Sequence, residues 1–183
     1  MKTNSPVFQL TLGAVLCAIG IMIPMFSPLR VVLPTMSYTL GSHVVIFIGM
    51  FFSVKMGVAV SLGTAFGFLL GPFPPIVAVR AASHVIFALV GGLWIKKHKN
   101  VLNKPLSIII FSFVIAIIHA ACEVLAVVPF YFTNPAAYDS GFLFSVLLLV
   151  GFGTIVHSMV DFHVALFIKK ALFLRNRGKT RPA

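Results

Sequence analysis

An all-α protein that crosses a membrane six times is the fold class that this sequence predicts, and three observations predict it. The 183 residues are 60% hydrophobic and only 9% charged, whereas a soluble domain carries about 25% charged residues. The apolar residues fall in runs suited to membrane helices, which need about 20 residues to cross a bilayer. Lysine and arginine gather at the ends of these runs, and this placement indicates membrane orientation rather than nucleic-acid binding.

Breaks in the apolar pattern divide the chain into six spans that form one integral-membrane domain over residues 1–183. We place the spans at residues 7–26, 41–53, 56–70, 76–95, 106–128 and 142–168. The prolines of SPLRVVLPTMSYTL forbid a continuous helix after the first span, so we expect an irregular loop there. GPFPP ends the third span, and the basic KKHKNVLNK precedes the fifth. PFYFTNPAAYDSG predicts a second irregular loop, and a basic tail, 169–183, follows the sixth span.

The basic residues also orient these spans. With an even number of spans and the N-terminus in the cytoplasm, twelve of the 14 lysines and arginines lie on the cytoplasmic side. Arg30 then lies outside and Arg80 within span four, so the positive-inside rule supports cytoplasmic N- and C-termini in a cell membrane. The outer loops, 27–40, 71–75 and 129–141, are rich in Pro, Phe and Tyr. That composition suits a lid over a small-molecule pocket, although 71–75 is better explained as a short connection.

Polar pairs at i, i+4 spacing interrupt the last three spans. They are Arg80/His84, His119/Glu123 and His157/Asp161. Each pair lies on one helix face, and we expect these faces to point into the bundle because ionisable groups are costly in hydrocarbon. At about 1.5 Å per residue, Arg80 and Glu123 reach a similar depth in the outer half. We place His84 and His119 one turn deeper, and His157 and Asp161 nearer the inner half.

We interpret this polar set as a pocket open to the outside, in which Arg80 presents its planar guanidinium to an anion such as a carboxylate. The alternative is an Arg80–Glu123 ion pair that only fixes helix packing. His43, near the outer end of span two, is a further candidate. The tyrosines of the outer loops are candidates for stacking on a ring. The candidate ligand-binding residues are Arg80, His84, His119, Glu123, His43, Tyr38, Tyr131 and Tyr138.

Three other features concern helix packing and the absence of cofactors. Cys17 and Cys122 lie within apolar runs, where thiols act as packing residues, so we expect no disulfide, no metal site and no cofactor. In span one, Ala14 and Ala18 stand four apart, a spacing that lets another helix approach closely. From the spacing alone, packing within the bundle is the better explanation, because such pairs of small residues are common. The glycines of GVAVSLGTAFGFLLG, residues 57–71, predict close packing inside the bundle.

Taken together, these features resemble a known family. Six spans in fewer than 200 residues, cytoplasmic termini, A-x-x-x-A in span one and Pro-rich outer loops are similar to the substrate-binding S components of energy-coupling factor (ECF) vitamin transporters. The resemblance covers nearly the whole chain. YTLGSHVVIFIGMFFS and LGTAFGFLLGPFPPIVAVRAASHVIFALVGG resemble more narrowly the S components that take up niacin.

The resemblance implies that the protein binds a vitamin from outside, between the outer loops and the later helices. It also implies an association with a module of two cytoplasmic ATPases and a membrane coupling protein, which Ala14 and Ala18 would contact. The S component would then topple in the membrane to deliver its ligand. The chain has no G-x-x-x-x-G-K-[ST] motif, in keeping with ATP hydrolysis on a partner, so we expect a transporter subunit rather than an enzyme.

Other interpretations stay open at this point. Within the vitamin transporters, the ligand could be cobalamin, pantothenate or a pyridine derivative. An intramembrane hydrolase is disfavoured because AASHV lacks the glycines around a nucleophilic serine and Glu123 is the only glutamate. Paired histidines would allow a haem-binding membrane protein. A nickel or cobalt S component would need an N-terminal histidine, and the chain opens with MKTNSP.

Overall fold

A computed structural model describes residues 5–33, 36–134, 136 and 140–179 of the chain. The elements in chain order are α1 (Pro6–Phe26), β1 (Arg30–Leu33), β2 (Met36–Thr39), α2 (Val44–Phe52), α3 (Val54–Leu70), α4 (Pro75–Lys97), α5 (Pro105–Thr133), a π-helix (Leu143–Phe152) and α6 (Gly153–Lys179). The π-helix runs directly into α6. The predicted all-α architecture is confirmed, with one small addition.

That addition is a two-stranded antiparallel hairpin in the segment that we predicted as an irregular loop. Arg30 pairs with Thr39 and Val31 with Tyr38. The prediction of irregular structure was wrong here, although the prolines do exclude helix. The signal for a strand was the β-branched content of RVVL, which favours extended backbone. The hairpin places Arg30 and Tyr38 over one end of the helices.

Polar residues and prolines set the helix boundaries. The Ser5 hydroxyl accepts a hydrogen bond from the N–H of Phe8 at 3.1 Å and caps α1. Ser53 ends α2 with extended backbone, and its hydroxyl accepts from the N–H of Met56 at 3.1 Å to start α3. Such caps satisfy N–H groups that have no partner within the helix. Helices α4 and α5 each begin at a proline, Pro75 and Pro105, where the missing N–H costs nothing.

Two predicted boundaries were too early. We ended span six at residue 168 and placed a tail after it, but α6 continues to Lys179. We ended span five before Pro129, but α5 continues through this proline to Thr133. A proline inside a helix removes one hydrogen bond, and the apolar residues on either side continue the helical surface. Tyr131 therefore lies on the last turn of α5 rather than on a loop.

Four helices of the described chain are long and apolar enough to cross a membrane. They are Pro6–Phe26, Pro75–Lys97, Pro105–Thr133 and Leu143–Leu172. Helix α3 is a shorter apolar helix. Helix α2 has nine residues, which at 1.5 Å each give it a length of roughly 14 Å, about half of a bilayer core. The protein is an all-α membrane protein.

Glycines bring α1, α2 and α3 into close contact, as the sequence predicted. A Cβ on Gly63 would lie 2.5 Å from Sγ of Cys17 in α1. A Cβ on Gly57 would lie 3.0 Å from the backbone of Met50 in α2. The first distance is shorter than real Cβ contacts and the second is tighter than most of them, so glycine at both positions allows the observed helix spacing.

Aromatic rings fill the centre of the bundle. Phe47, Phe87, Phe111 and Phe162 are at most 1% exposed. Phe47 stacks against Phe87 and Phe162 with ring centroids 5.4 Å apart in both cases. These separations are typical of stabilising aromatic pairs. A solid aromatic core therefore lies along the bundle axis.

Candidate ligand site at the hairpin end

A cavity of about 450 Å³ opens at the hairpin end of the bundle. The end of α1, the hairpin, the start of α2, the end of α3 and the start of α4 all contribute to its wall. Its rim is largely apolar and includes Phe26, Phe68 and Phe73, with Arg30 beside them. Its floor is polar. A volume of this size suits a small organic ligand.

Arg80 and Glu123 meet on the floor of this cavity, where the depth count predicted that they could. Nη2 of Arg80 donates to Oε2 of Glu123 at 2.7 Å. The side chains are 11% and 2% exposed. The same carboxylate oxygen accepts from Oγ1 of Thr154 at 2.7 Å. Of the two roles that the sequence left open for Arg80, the structure displays the ion pair.

The second oxygen of Glu123 faces a cluster of histidines. Nε2 of His84 donates to Oε1 at 3.0 Å, and Nε2 of His119 lies 3.6 Å from it. His43 completes the cluster, because its ring centroid is 4.6 Å from both of those imidazoles. All three histidines are buried. Four polar residues from α4, α5 and the start of α2 thus converge on one point.

Asp161 forms a neighbouring polar centre that holds the turn before α2. Its carboxylate oxygens accept from the backbone N–H groups of Gly41 at 2.8 Å and His43 at 2.9 Å. Nδ1 of His43 lies 3.3 Å from the carboxylate and Nε2 of His157 3.4 Å from it. These contacts tie residues 41–43 to the second and third turns of α6.

We placed His157 and Asp161 nearer the inner half, at a different depth from Arg80 and Glu123. The structure instead brings His157 to the same cavity, where Nε2 of its ring is 3.2 Å from Oγ of Ser42. His157 and Asp161 lie in the second and third turns of α6, where the turn at residues 41–43 contacts them. A depth count from span ends takes no account of a turn that packs between helices in this way.

The tyrosines differ in their positions. Tyr38 lines the cavity from the hairpin; its hydroxyl donates to the carbonyl of Leu149 in the π-helix, and its ring lies 5.3 Å from that of His157. Burial raises the pKa of Tyr38, so the hydroxyl stays a donor. Tyr131 packs against Phe142 at 5.2 Å, outside the cavity wall. Tyr138 lies outside the described residues.

Three hydroxyl residues take part in this site that the sequence did not single out. Thr154 bonds to Glu123, Ser42 to His157, and Oγ of Ser158 lies 3.1 Å from Nδ1 of His119. One signal was available: Thr154 and Ser158 stand four apart in span six, beside the pair formed by His157 and Asp161. Serine and threonine are common in membrane helices, so this spacing does not distinguish them.

Ala14 and Ala18 are both exposed on α1. The neighbouring Leu16 and Gly20 are buried against the bundle instead. The two alanines therefore do not pack against the described part of the bundle. Their small side chains leave the outward surface of α1 open to a partner.

Comparison with known proteins gives one informative match. The chain is 38% identical over 169 residues to the niacin transporter NiaX of Lactococcus lactis subsp. cremoris (strain MG1363), and the match covers 92% of this chain and 76% of that protein. No family model matches the sequence. No solved structure matches it significantly.

Proposed function

Because this chain belongs to the niacin-type S components of ECF transporters, we propose that it captures niacin, as nicotinate, in the cavity at the hairpin end. The single observation that carries the proposal is the arginine on the cavity floor. A guanidinium offers a planar, paired donor set to a carboxylate, and the aromatic rim suits a flat ring. The chain is a multi-pass protein of the cell membrane.

We infer that the cavity faces the outside. Successive helices begin and end alternately at the hairpin end, so six crossings would place both termini at the other end. Lys96 and Lys97 lie in the last turn of α4 at that other end, and Lys99 follows the helix directly. Basic residues mark the cytoplasmic side. The whole chain then forms one membrane domain with cytoplasmic termini.

Calorimetry on the purified protein tests the ligand. Nicotinate is expected to bind tightly and the neutral nicotinamide more weakly, because only nicotinate carries a carboxylate. Arg80→Ala should weaken nicotinate binding by about 1.5–3 kcal/mol, the usual worth of a hydrogen bond to a charged group. Lys104→Ala, a basic residue on the loop before α5, is the matched control. Tight binding of cobalamin with no heat from nicotinate would overturn the proposal.

We propose further that the exposed face around Ala14 and Ala18 contacts the membrane coupling protein of an ECF module, whose two ATPases supply the energy. The chain itself then hydrolyses no ATP. Small residues on a lipid-facing helix allow a partner helix to approach closely, and both alanines face away from the bundle.

Tryptophan substitutions test this contact. Ala14→Trp and Ala18→Trp should leave nicotinate binding intact and abolish ATP-driven uptake into vesicles that contain the module, because the bulky ring blocks helix approach. Ile19→Trp changes an exposed residue on the same helix and serves as the control. If Ala14→Trp and Ala18→Trp lose nicotinate binding, the two alanines serve packing within the bundle and not a contact with the coupling protein.

A further inference from the structure

The polar floor of the cavity has the composition of a transition-metal site. Oε1 of Glu123 and one nitrogen each from His43, His84 and His119 lie within 4.8 Å of one another, and all four residues are buried. Three imidazoles and a carboxylate suit Zn²⁺, Ni²⁺ or Co²⁺. From the sequence we expected no metal site, and His43, which precedes α2, joins the residues of α4 and α5 only in the fold.

One nitrogen in this group lacks a hydrogen-bond partner among the described residues. Nε2 of His119 is fully buried and makes no hydrogen bond, although a buried polar atom is normally paired. On the other side of the ring, Nδ1 lies 3.1 Å from Oγ of Ser158. When Nδ1 donates to that hydroxyl, Nε2 carries a lone pair directed at the cluster. A histidine that ligates a metal is oriented by its second nitrogen in this way.

Distances between the ligand atoms of the group fit a cation with tetrahedral coordination. Metal–ligand bonds of about 2.0–2.1 Å place two tetrahedral ligands about 3.3 Å apart. Oε1 of Glu123 lies 3.0 Å from Nε2 of His84 and 3.6 Å from Nε2 of His119, on either side of that value. The other carboxylate oxygen is already held by Arg80 and Thr154, which leaves Oε1 to serve as a single ligand atom.

The neighbouring group of His43, His157 and Asp161 is also close enough to hold a cation, but it is the weaker candidate. Asp161 is already satisfied by two backbone N–H groups at 2.8 and 2.9 Å. His157 has a partner in Ser42. The first group alone contains a buried nitrogen without a hydrogen bond among the described residues.

The charge of the buried groups favours a cation. With the histidines neutral, one cation (Arg80) and two anions (Glu123 and Asp161) leave a net charge of −1. Binding of nicotinate would make the net charge −2, and unbalanced charge is costly away from water. A divalent cation changes the floor to +1, so that cation and nicotinate together leave it neutral. The two should therefore strengthen each other's binding, and by the same factor.

We propose that Glu123, His43, His84 and His119 bind a divalent transition-metal ion at the cavity floor, and that this ion raises the affinity for the anionic ligand. The second part rests on the proposed function; the metal site does not. When the ion binds, Nε2 of His84 becomes a ligand and the ring carries its proton on Nδ1. Arg80 keeps its contact with the far oxygen of Glu123.

Metal content tests the site without reference to nicotinate. Protein purified with a histidine-free tag, stripped with EDTA, exposed to Zn²⁺ or Ni²⁺ and dialysed should retain about one ion per chain by mass spectrometry. His119→Leu should retain almost none. Ser158→Ala, which removes only the orienting hydroxyl, should weaken Zn²⁺ binding about 10–100-fold by calorimetry. His163→Leu is the control, since His163 is exposed and bonds to the carbonyl of Met159.

Coupling is tested by titrating nicotinate into wild-type protein with EDTA and with Zn²⁺. We expect at least about tenfold tighter binding with the ion, within the usual range of coupling between two sites. Wild-type protein that holds no metal, or equal metal content in His119→Leu and wild type, overturns the site. Equal nicotinate affinity in both conditions overturns the coupling. Retained metal with no nicotinate binding at all counts against the proposed function instead.

Discussion

Two buried carboxylates, Glu123 on α5 and Asp161 on α6, are held by different kinds of partner. Asp161 accepts from backbone N–H groups at the start of α2, which are fixed parts of the fold. Glu123 accepts from side chains of α4 and α6, Arg80, His84 and Thr154, which can rotate to other partners. The difference favours a structural role for Asp161, and it supports the proposed ligand-binding role of Glu123.

The largest expected effect is on stability at Asp161. Asp161→Asn removes the charge and turns an amide donor toward one of the two N–H groups, and each charge-assisted hydrogen bond is worth about 1.5–3 kcal/mol. We expect a loss of roughly 3–5 kcal/mol, measured by unfolding in detergent. His163→Asn on the same helix should lose almost nothing. A melting temperature equal to that of the wild type would remove the structural role assigned to Asp161.

Next in size is the effect of breaking the ion pair from the arginine side. Arg80→Met leaves Glu123 buried without its cation, and we expect a loss of about 2–4 kcal/mol of stability, since Thr154 and His84 still donate to the carboxylate. The double variant Arg80→Met/Glu123→Gln should recover most of that stability but not nicotinate binding. Recovery of both by the double variant would show that the pair only fixes helix packing.

A smaller effect is expected at Thr154. Thr154→Val keeps the shape and removes one donor to Glu123, which costs about 1.5–3 kcal/mol. Because Arg80 and His84 can tighten around the carboxylate, we expect the low end of that range. Thr133→Val, whose hydroxyl bonds to the carbonyl of Pro129 at an exposed position, is the control. A loss as large as that of Asp161→Asn would contradict the contrast between the two carboxylates.

The smallest effect is expected at Ser42. Its hydroxyl contacts His157 at 3.2 Å and His43 at 3.3 Å, both neutral partners, so Ser42→Ala should cost about 0.5–1.5 kcal/mol. Thermal unfolding should show a larger loss of stability in Ser42→Ala than in the control Ser83→Ala. The hydroxyl of Ser83 donates only to the carbonyl of Arg80 in its own helix, at 2.7 Å. Identical melting temperatures in the two variants would mean that Ser42 adds nothing to the Asp161 centre.

The same contrast separates what the sequence could predict from what it could not. Helical spacing placed Arg80 with His84 and His119 with Glu123, and counting residues from the span ends brought Arg80 to the depth of Glu123. Both rules are local. The Asp161 centre depends on the turn at residues 41–43, which follows a hairpin that we predicted as an irregular loop. Contacts that require a non-local element are outside the reach of periodicity.

The aromatic core below the cavity has a consequence for transport. Phe87 lies 4.4 Å from the ring of His119, directly beneath the polar floor, and the rings of Phe47 and Phe162 continue the packing. Among the described residues, packed aromatic rings therefore close the bundle next to the polar floor. We expect that a ligand bound on this floor is released on the other side only when the helices separate or the whole protein reorients.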